Sequence, residues 1–248
     1  MKIIVTKDYD ELSRISANKF MEAIKRKPDA SLGLATGSSP IGLYKELIHL
    51  HKKSGLDFSK VKTFNLDEYV GISQDHPESY HRFMFEQLFN HINISPENVH
   101  IPRGDQPDIH EQCDLYEKEI QKAGGIDIQV LGIGSNGHIG FNEPGSSPEE
   151  RTRVVQLADS TIKANARFFG SEELVPRLAI SMGIQTILTQ SKQIILLASG
   201  HEKADAVQAM VEGKITPELP ASYLQSHPDV TVIVDQQAAK KLKVTQAS

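Results

Sequence analysis

Ile126-Asp-Ile-Gln-Val-Leu131 and Ile194-Ile-Leu-Leu197 are almost uninterrupted apolar runs, too short for stable helices and too uniformly apolar for strands with one face in water. Runs of this kind suit strands covered by helices on both faces, the situation of a parallel sheet. Comparable β-rich stretches read as strands at 2–6, 31–36, 61–66, 126–132, 193–199 and 229–234. Helical periodicity occupies 8–27, 40–53, 79–90, 108–123, 171–189, 202–212 and 217–225. Alternation on this scale predicts βαβ units, hence an α/β fold with an open, mostly parallel, doubly wound sheet flanked by helices. No linker, repeat or low-complexity tract divides residues 1–248, which read as one domain. The stretch 142–159 is rich in Pro, Ser, Glu and Arg and reads as a long functional or mobile loop.

Composition narrows the function classes. Lys and Arg total 27 against 32 Asp and Glu, a formal charge of −5. That balance argues against non-specific nucleic-acid binding, which rests on many phosphate contacts. Taken alone, it also argues against an anionic substrate. The apolar run from Ile194 to Ala198 is five residues long, against the roughly 20 needed to span a bilayer. Met1-Lys2 leads through Ile-Ile-Val into charged residues, without the apolar core of a signal peptide. The single cysteine, Cys113, has no partner for an internal disulfide and no activating surroundings in sequence. These features predict a cytoplasmic chain with no membrane or nucleic-acid partner.

Ligands of open α/β sheets bind outside the carboxyl ends of the strands, so the residues that follow each strand carry the functional information. In Leu34-Ala-Thr-Gly-Ser-Ser-Pro40, Gly37 permits a tight turn, Ser38 and Ser39 offer capping oxygens, and Pro40 suits a first helical position. Such a helix start can cradle a phosphate, although a capped turn that binds nothing fits equally, and Walker spacing is absent. Phe64-Asn-Leu-Asp-Glu-Tyr-Val70 places Asp67 and Glu68 side by side. Neighbours on an extended chain point to opposite sides, so one carboxylate can face a cleft as a general base while the other is structural or capping. A solvated loop acid is the plainer alternative.

The densest edge is Leu131-Gly-Ile-Gly-Ser-Asn-Gly-His-Ile-Gly-Phe-Asn-Glu-Pro144. Its Gly132-x-Gly134-x-x-Gly137 matches a dinucleotide-binding turn, but Pro144-Gly145 leaves no room for the long helix that such a turn opens. His138 lies on this glycine-rich loop with Glu143 five residues later, and an imidazole oriented by a carboxylate is a proton shuttle near neutrality. A zinc site with His201 lacks the usual ligand spacings, and no metal is expected. In Leu197-Ala-Ser-Gly-His-Glu-Lys-Ala204, Lys203 falls in the first turn of a helix, against the dipole preference unless an anion is bound there. Arg167 is a second candidate phosphate clamp. A surface lysine is the ordinary reading of Lys203 without such a ligand.

Together these edges resemble the glucosamine-6-phosphate deaminase family along essentially the whole chain. The resemblance rests on Ala35-Thr-Gly-Ser-Ser-Pro40, Phe64-Asn-Leu-Asp-Glu-Tyr-Val-Gly71, Gly132-Ile-Gly-x-x-Gly-His138, Phe141-Asn-Glu-Pro144, Asn165-Ala-Arg-Phe-Phe169 and Gly200-x-x-Lys-Ala204. The wider relatives include 6-phosphogluconolactonases, whereas the Asp-Glu-Tyr and Gly-His-x-x-Phe-Asn-Glu-Pro runs look like the deaminase branch. The resemblance implies a Rossmann-like sheet and conversion of D-glucosamine 6-phosphate and water to D-fructose 6-phosphate and ammonia, without a cofactor. It implies Asp67 as the base that moves the C2 proton to C1 through an enolamine. It implies His138 as carrier of the ring-opening proton and Glu143 as the residue that orients and charge-balances it. Thr36, Gly37, Ser38, Ser39, Arg167 and Lys203 are implied to hold the phosphate, with the segment from 142 to Phe169 as a lid carrying Arg167.

Two departures carry expectations of their own. Asn136 stands where the family pattern commonly has Asp. An amide can hydrogen-bond the imidazole but supplies no negative charge, so His138 is expected to titrate lower than in an Asp-containing relative. Arg151-Thr-Arg153 is followed by Val154-Val155 and not by the lysine of members activated by N-acetylglucosamine 6-phosphate, so allosteric activation is not expected and homo-oligomerisation stays open. Two competing readings remain at this level. One is a sugar-lactone hydrolase in which His138 activates water, and the other is a sugar-phosphate sensor that has lost turnover. The presence of Asp67, His138 and Glu143 together, and the absence of a DNA-binding extension, favour the enzyme over the sensor.

Overall fold

Ten strands and seven α-helices make up the computed structural model, which describes residues 1–243 apart from the side chains at 160 and 164. The strands are β1 (Lys2–Thr6), β2 (Ser31–Leu34), β3 (Lys62–Asn65), β4 (Asp67–Tyr69), β5 (Val99–His100), β6 (Ile128–Gly132), β7 (Arg153–Gln156), β8 (Leu178–Ser181), β9 (Ile194–Ala198) and β10 (Val230–Asp235). The helices are α1 (Tyr9–Arg26), α2 (Ile41–Ser54), α3 (Tyr80–Gln87), α4 (Ile109–Lys122), α5 (Asp159–Phe169), α6 (Ile184–Gln190) and α7 (Ala204–Glu212). Seven strands form one parallel sheet in the order β1-β10-β9-β6-β2-β3-β5. All residues of β2, β9 and β10 are buried, as expected for strands with helices on both faces.

Helix boundaries follow local chemistry. Asp8 and Asp108 accept hydrogen bonds from the Glu11 and Glu111 N–H groups and so cap α1 and α4. Lys25 and Arg26 close α1 at the end where the dipole favours cations. The path through the sheet decides where a ligand can sit. From β2 the chain steps outward through β3 to β5, and from β6 it steps the other way through β9 to β10. The direction reverses between the adjacent strands β2 and β6, and a crevice opens at that switch point.

A second sheet, β4-β8-β7, is antiparallel and lies outside the main one. Tyr69, Leu157, Ile162, Val175 and Ala179 form a small core of their own under it, joined by Phe141, Ala166 and Phe169. This unit corrects several sequence expectations. The stretch 171–189 is not one helix: it contains a 3₁₀ turn, strand β8 and only then α6. Pro176 and Gly183 punctuate it, and Leu178-Ala-Ile-Ser181 pairs with β4 and β7 in place of coiling. The supposed loop 142–159 holds β7, while β4 and β5 were too short, at three and two residues, to leave a periodic signal. The segment 217–225 is a 3₁₀ helix over Pro220–Ser226, and the helix expected at 79–90 stops at Gln87 before a 3₁₀ turn. Among the described residues no helix is long and apolar enough to cross a membrane.

Candidate active site

A cavity of about 750 Å³ opens at the switch point. Its walls come from the residues after β2 (Thr36 to Ser39), the residues after β6 (Ile133 to Ser135, with His138), Asp67 and Tyr69 of β4, the aromatic residues Tyr80, Phe141 and Phe169 packed against the small core, and Lys203.

At one end the turn after β2 is held open. Gly37 has φ +89°, and an added Cβ there meets nothing within 4 Å, so glycine is needed for the backbone angle alone. The Tyr9 hydroxyl, from α1, lies 2.9 Å from the Ser38 carbonyl and 3.0 Å from that of Ser39, and accepts from the Gly42 N–H at 2.8 Å. The Tyr44 hydroxyl, from α2, donates to the Ala35 carbonyl at 2.5 Å and accepts from its N–H. Two tyrosines thus fix the turn from two helices. Ser38 and Ser39 do not cap α2, and Pro40 sits at the cap position one residue before its expected place. Among the described residues no group accepts from the N–H of Gly37, Ser38 or Ser39. Unpartnered N–H groups at a helix start form an anion cradle.

Lys203 reaches the same cavity from a 3₁₀ turn just ahead of α7, one residue outside the helix proper. That turn is anchored by Asp235 at the end of β10, which accepts from the Ser199 hydroxyl at 2.6 Å, the Gly200 N–H and the Ala238 N–H. Among the described residues Lys203 has no ion-pair partner, so its charge faces the cavity uncompensated. Arg167 does not join it. Its side chain is exposed, with the guanidinium 4.6 Å from the Phe168 ring centroid, while Asn165, Phe168 and Phe169 of the same helix line the cavity.

The two adjacent carboxylates divide as alternation predicts. Glu68 accepts from the Tyr69, Tyr80 and His81 N–H groups at 2.8, 3.0 and 2.8 Å, and so anchors the start of α3. Asp67 lines the cavity, is 7% exposed, and accepts no hydrogen bond from the described residues. Burial, with Glu68 adding its negative charge, pushes the Asp67 carboxyl up to about 8. Gly140 lies beside this carboxylate at φ +55°, and an added Cβ would make an ordinary contact of 3.6 Å with Asp67 Oδ2 and a tight one of 3.2 Å with Ser181 Oγ.

His138 is tied into a relay. Its Nδ1 lies 2.7 Å from Asn136 Oδ1, and Asn136 Nδ2 donates to Glu143 Oε2 at 2.8 Å. Since Glu143 is an acceptor, the Asn136 amino group must face it and the amide oxygen must face His138. The imidazole then carries its proton on Nδ1, leaving Nε2 as the basic atom. Glu143 Oε2 is 3.6 Å from Nδ1, so its influence on the ring is mainly Coulombic, with Asn136 in between. The ring packs over Gly134, where an added Cβ would come within 2.3 Å of it. Desolvation, with Lys203 adding repulsion, holds the imidazole below its ordinary pKa against the opposing pull of Glu143, which favours its neutral form.

Asn142, Thr161 and Asp235 escaped the sequence reading. Asn142 is fully buried; its amide donates to the carbonyls of Ile139 and Met182 and accepts from Arg153, which fixes the His138 loop onto the small sheet. Its only signal was its place beside Glu143 in Phe-Asn-Glu-Pro. Among the described residues no cluster of three or more His, Cys, Asp or Glu side chains is arranged to hold a metal.

Residues 8–233 match the family model described as glucosamine-6-phosphate isomerases/6-phosphogluconolactonase. The chain is 61% identical over 244 residues to glucosamine-6-phosphate deaminase 2 of Bacillus subtilis, covering 98% of each. It is 56% identical over 239 residues to the glucosamine-6-phosphate deaminase of Thermoanaerobacter pseudethanolicus, covering 96% of this chain and 94% of that one. Among solved structures it superposes on a monomeric glucosamine-6-phosphate deaminase with a TM-score of 0.94 at 50% identity, over 97% of this chain and 99% of that one. A 6-phosphogluconolactonase of Thermotoga maritima aligns with a TM-score of 0.74 at 23% identity over 94% and 98% of the two chains, a likeness of fold.

Proposed function

The chain belongs to the glucosamine-6-phosphate isomerase/6-phosphogluconolactonase family, and we infer that it is an isomerising deaminase which converts D-glucosamine 6-phosphate and water to D-fructose 6-phosphate and ammonia. The observation that carries this reading is one cavity holding a desolvated carboxylate, an imidazole hydrogen-bonded through Nδ1 and an anion cradle. The N–H groups of the 36–39 turn and the Lys203 ammonium take the phosphate. That anchor lies away from the reacting carbons, and its binding energy orients them. His138 Nε2 accepts the O1 hydroxyl proton and returns it to the ring oxygen, which opens the sugar. Asp67 then removes the C2 proton and delivers it to C1. The intermediate is an enolamine, and the imine that follows reacts with water to release ammonia and leave the ketone.

The raised pKa of Asp67 suits this role. A carboxylate poised near the working pH is a stronger base than an ordinary one, and the cationic amino group of an arriving substrate draws it into its ionised form. The acidic surplus of the chain is therefore no obstacle to a phosphate ligand, because a few placed groups set the local potential. Helix α5 with the small sheet forms the lid, and its closure brings Arg167 to the phosphate. The deaminase on which the chain superposes with a TM-score of 0.94 is monomeric, which supports a site complete within one chain. The lone cysteine supports a reducing, cytoplasmic setting.

Incubation with D-glucosamine 6-phosphate should yield ammonia and fructose 6-phosphate in equal amounts, with no hydrolysis of 6-phosphogluconolactone. Lactone opening without ammonia release reverses the assignment within the family.

A further inference from the structure

The acid–base relay and the lid are joined by one hydrogen bond. Thr161 Oγ1, on the first turn of α5, donates to Glu143 Oε1 at 3.3 Å, while Asn136 Nδ2 occupies the other oxygen of the same carboxylate. One helical turn later, on the same face of α5, Asn165 Nδ2 donates to the Tyr69 hydroxyl at 2.8 Å. Helix α5 is therefore fastened at two points to different parts of the site: Thr161 to the carboxylate that supports His138, and Asn165 to the aromatic wall of β4. From these two contacts we propose that Thr161 is a positioning residue that makes the proton affinity of His138 depend on where the lid helix sits. The proposal rests on the deaminase reading given above.

The physical argument is geometric. Glu143 acts on His138 across 3.6 Å, and its carboxylate is about a quarter exposed, with a side-chain accessibility of 23%. A carboxylate with one free oxygen beside water can turn about its last torsion. Held by Asn136 on one oxygen and Thr161 on the other, it cannot turn away. The charged groups that act on the ring are Glu143 from its own loop and Lys203 from the turn before α7, while the titratable Asp67 of β4 lines the same cavity. Lys203 and burial both oppose the imidazolium, so the anchored Glu143 is the group that offsets them. When α5 moves off, Thr161 leaves with it, Glu143 relaxes toward water, and His138 becomes a weaker base. Lid closure at the phosphate end thereby prepares proton transfer at the sugar-ring end.

The test is a titration of His138 by NMR on ¹⁵N-histidine-labelled full-length protein, its signal assigned with His138→Gln, in the wild type and in Thr161→Val, Thr161→Ser and Asn165→Ala. Thr161→Val should lower the His138 pKa by at least about 0.5, within the effect of a contacting opposite charge. Thr161→Ser, which keeps the hydroxyl, should restore it. The acidic limb of kcat/KM on D-glucosamine 6-phosphate should move in parallel. Asn165→Ala, which loosens the lid without touching Glu143 directly, should shift His138 less than Thr161→Val does. A His138 titration unchanged or raised in Thr161→Val, or one that Thr161→Ser fails to restore, overturns the coupling. The NMR readout needs no turnover: absence of wild-type deamination defeats the functional reading, whereas a flat titration beside normal turnover defeats the coupling alone.

Discussion

Substituting Asp67 by Asn should make the protein more stable, and by an amount that grows with pH. The carboxyl ionises near 3.8 in an unfolded chain and near 8 in the folded one. Between those values the folded state binds one proton more than the unfolded state, so this residue's contribution to stability is fully present below pH 3.8 and is lost as pH rises through 8. Each pH unit inside that window is worth about 1.4 kcal/mol. Asn has the same shape and no proton to lose, so the variant escapes this loss. Its advantage over the wild type should increase by about 2–3 kcal/mol between pH 5 and pH 7. For a chain of this size that corresponds to a Tm difference growing by roughly 4–12 °C. Glu68, which burial pushes up to about 7, is present in both proteins and largely cancels in the comparison. Urea or thermal unfolding of both proteins at pH 5, 6 and 7 gives the slope. Parallel stability curves, with a gap that does not change with pH, would refute a desolvated Asp67 and with it the physical basis for its strength as a base.

Three further outcomes follow from the geometry. Asn136→Asp places a carboxylate at His138 Nδ1, now 2.7 Å from an amide oxygen, and should raise the acidic limb of kcat/KM by about one pH unit despite its repulsion with Glu143; an unchanged profile contradicts the relay. Lys203→Met should reduce kcat/KM about 10- to 100-fold, the worth of one charge-assisted contact, and should lower kcat as well as raise KM because the phosphate anchor orients the reacting carbons; a change in KM alone contradicts that use of binding energy. Hydrogen exchange across α5 and β7 should slow when a sugar phosphate is bound, and equal exchange with and without ligand removes the lid.

The parallel sheet was legible because its inner strands are buried on both faces and therefore read as apolar runs in sequence, as Ile194-Ile-Leu-Leu197 does. Part of the cavity lining was legible for a related reason: glycines, hydroxyls and charges gather just after those runs, at the ends of β2 and β6. The small sheet was not legible. Its strands are only three or four residues long and owe their shape to pairing with segments far along the chain, as Asp67 and Arg153 both pair with Ser181. Local pattern gives no hint of such contacts. The same limit hid Thr161 and Asp235, whose roles exist only through partners 18 and 36 residues away. The division of labour between Asp67 and Glu68 was readable from alternation, but which of the two faced the cavity was not. Arg167 shows the opposite case, in which a residue type suited to phosphate lies outside the cavity because its helix turns it toward Phe168.

The central claim is that Asp67 moves the C2 proton of D-glucosamine 6-phosphate, and its most direct test is turnover by the wild type beside Asp67→Asn at a pH where both are folded. The wild type should release ammonia and fructose 6-phosphate together, and the variant should lose about 10²- to 10⁴-fold in kcat while remaining at least as stable. Wild-type turnover that survives the substitution undiminished would contradict the account.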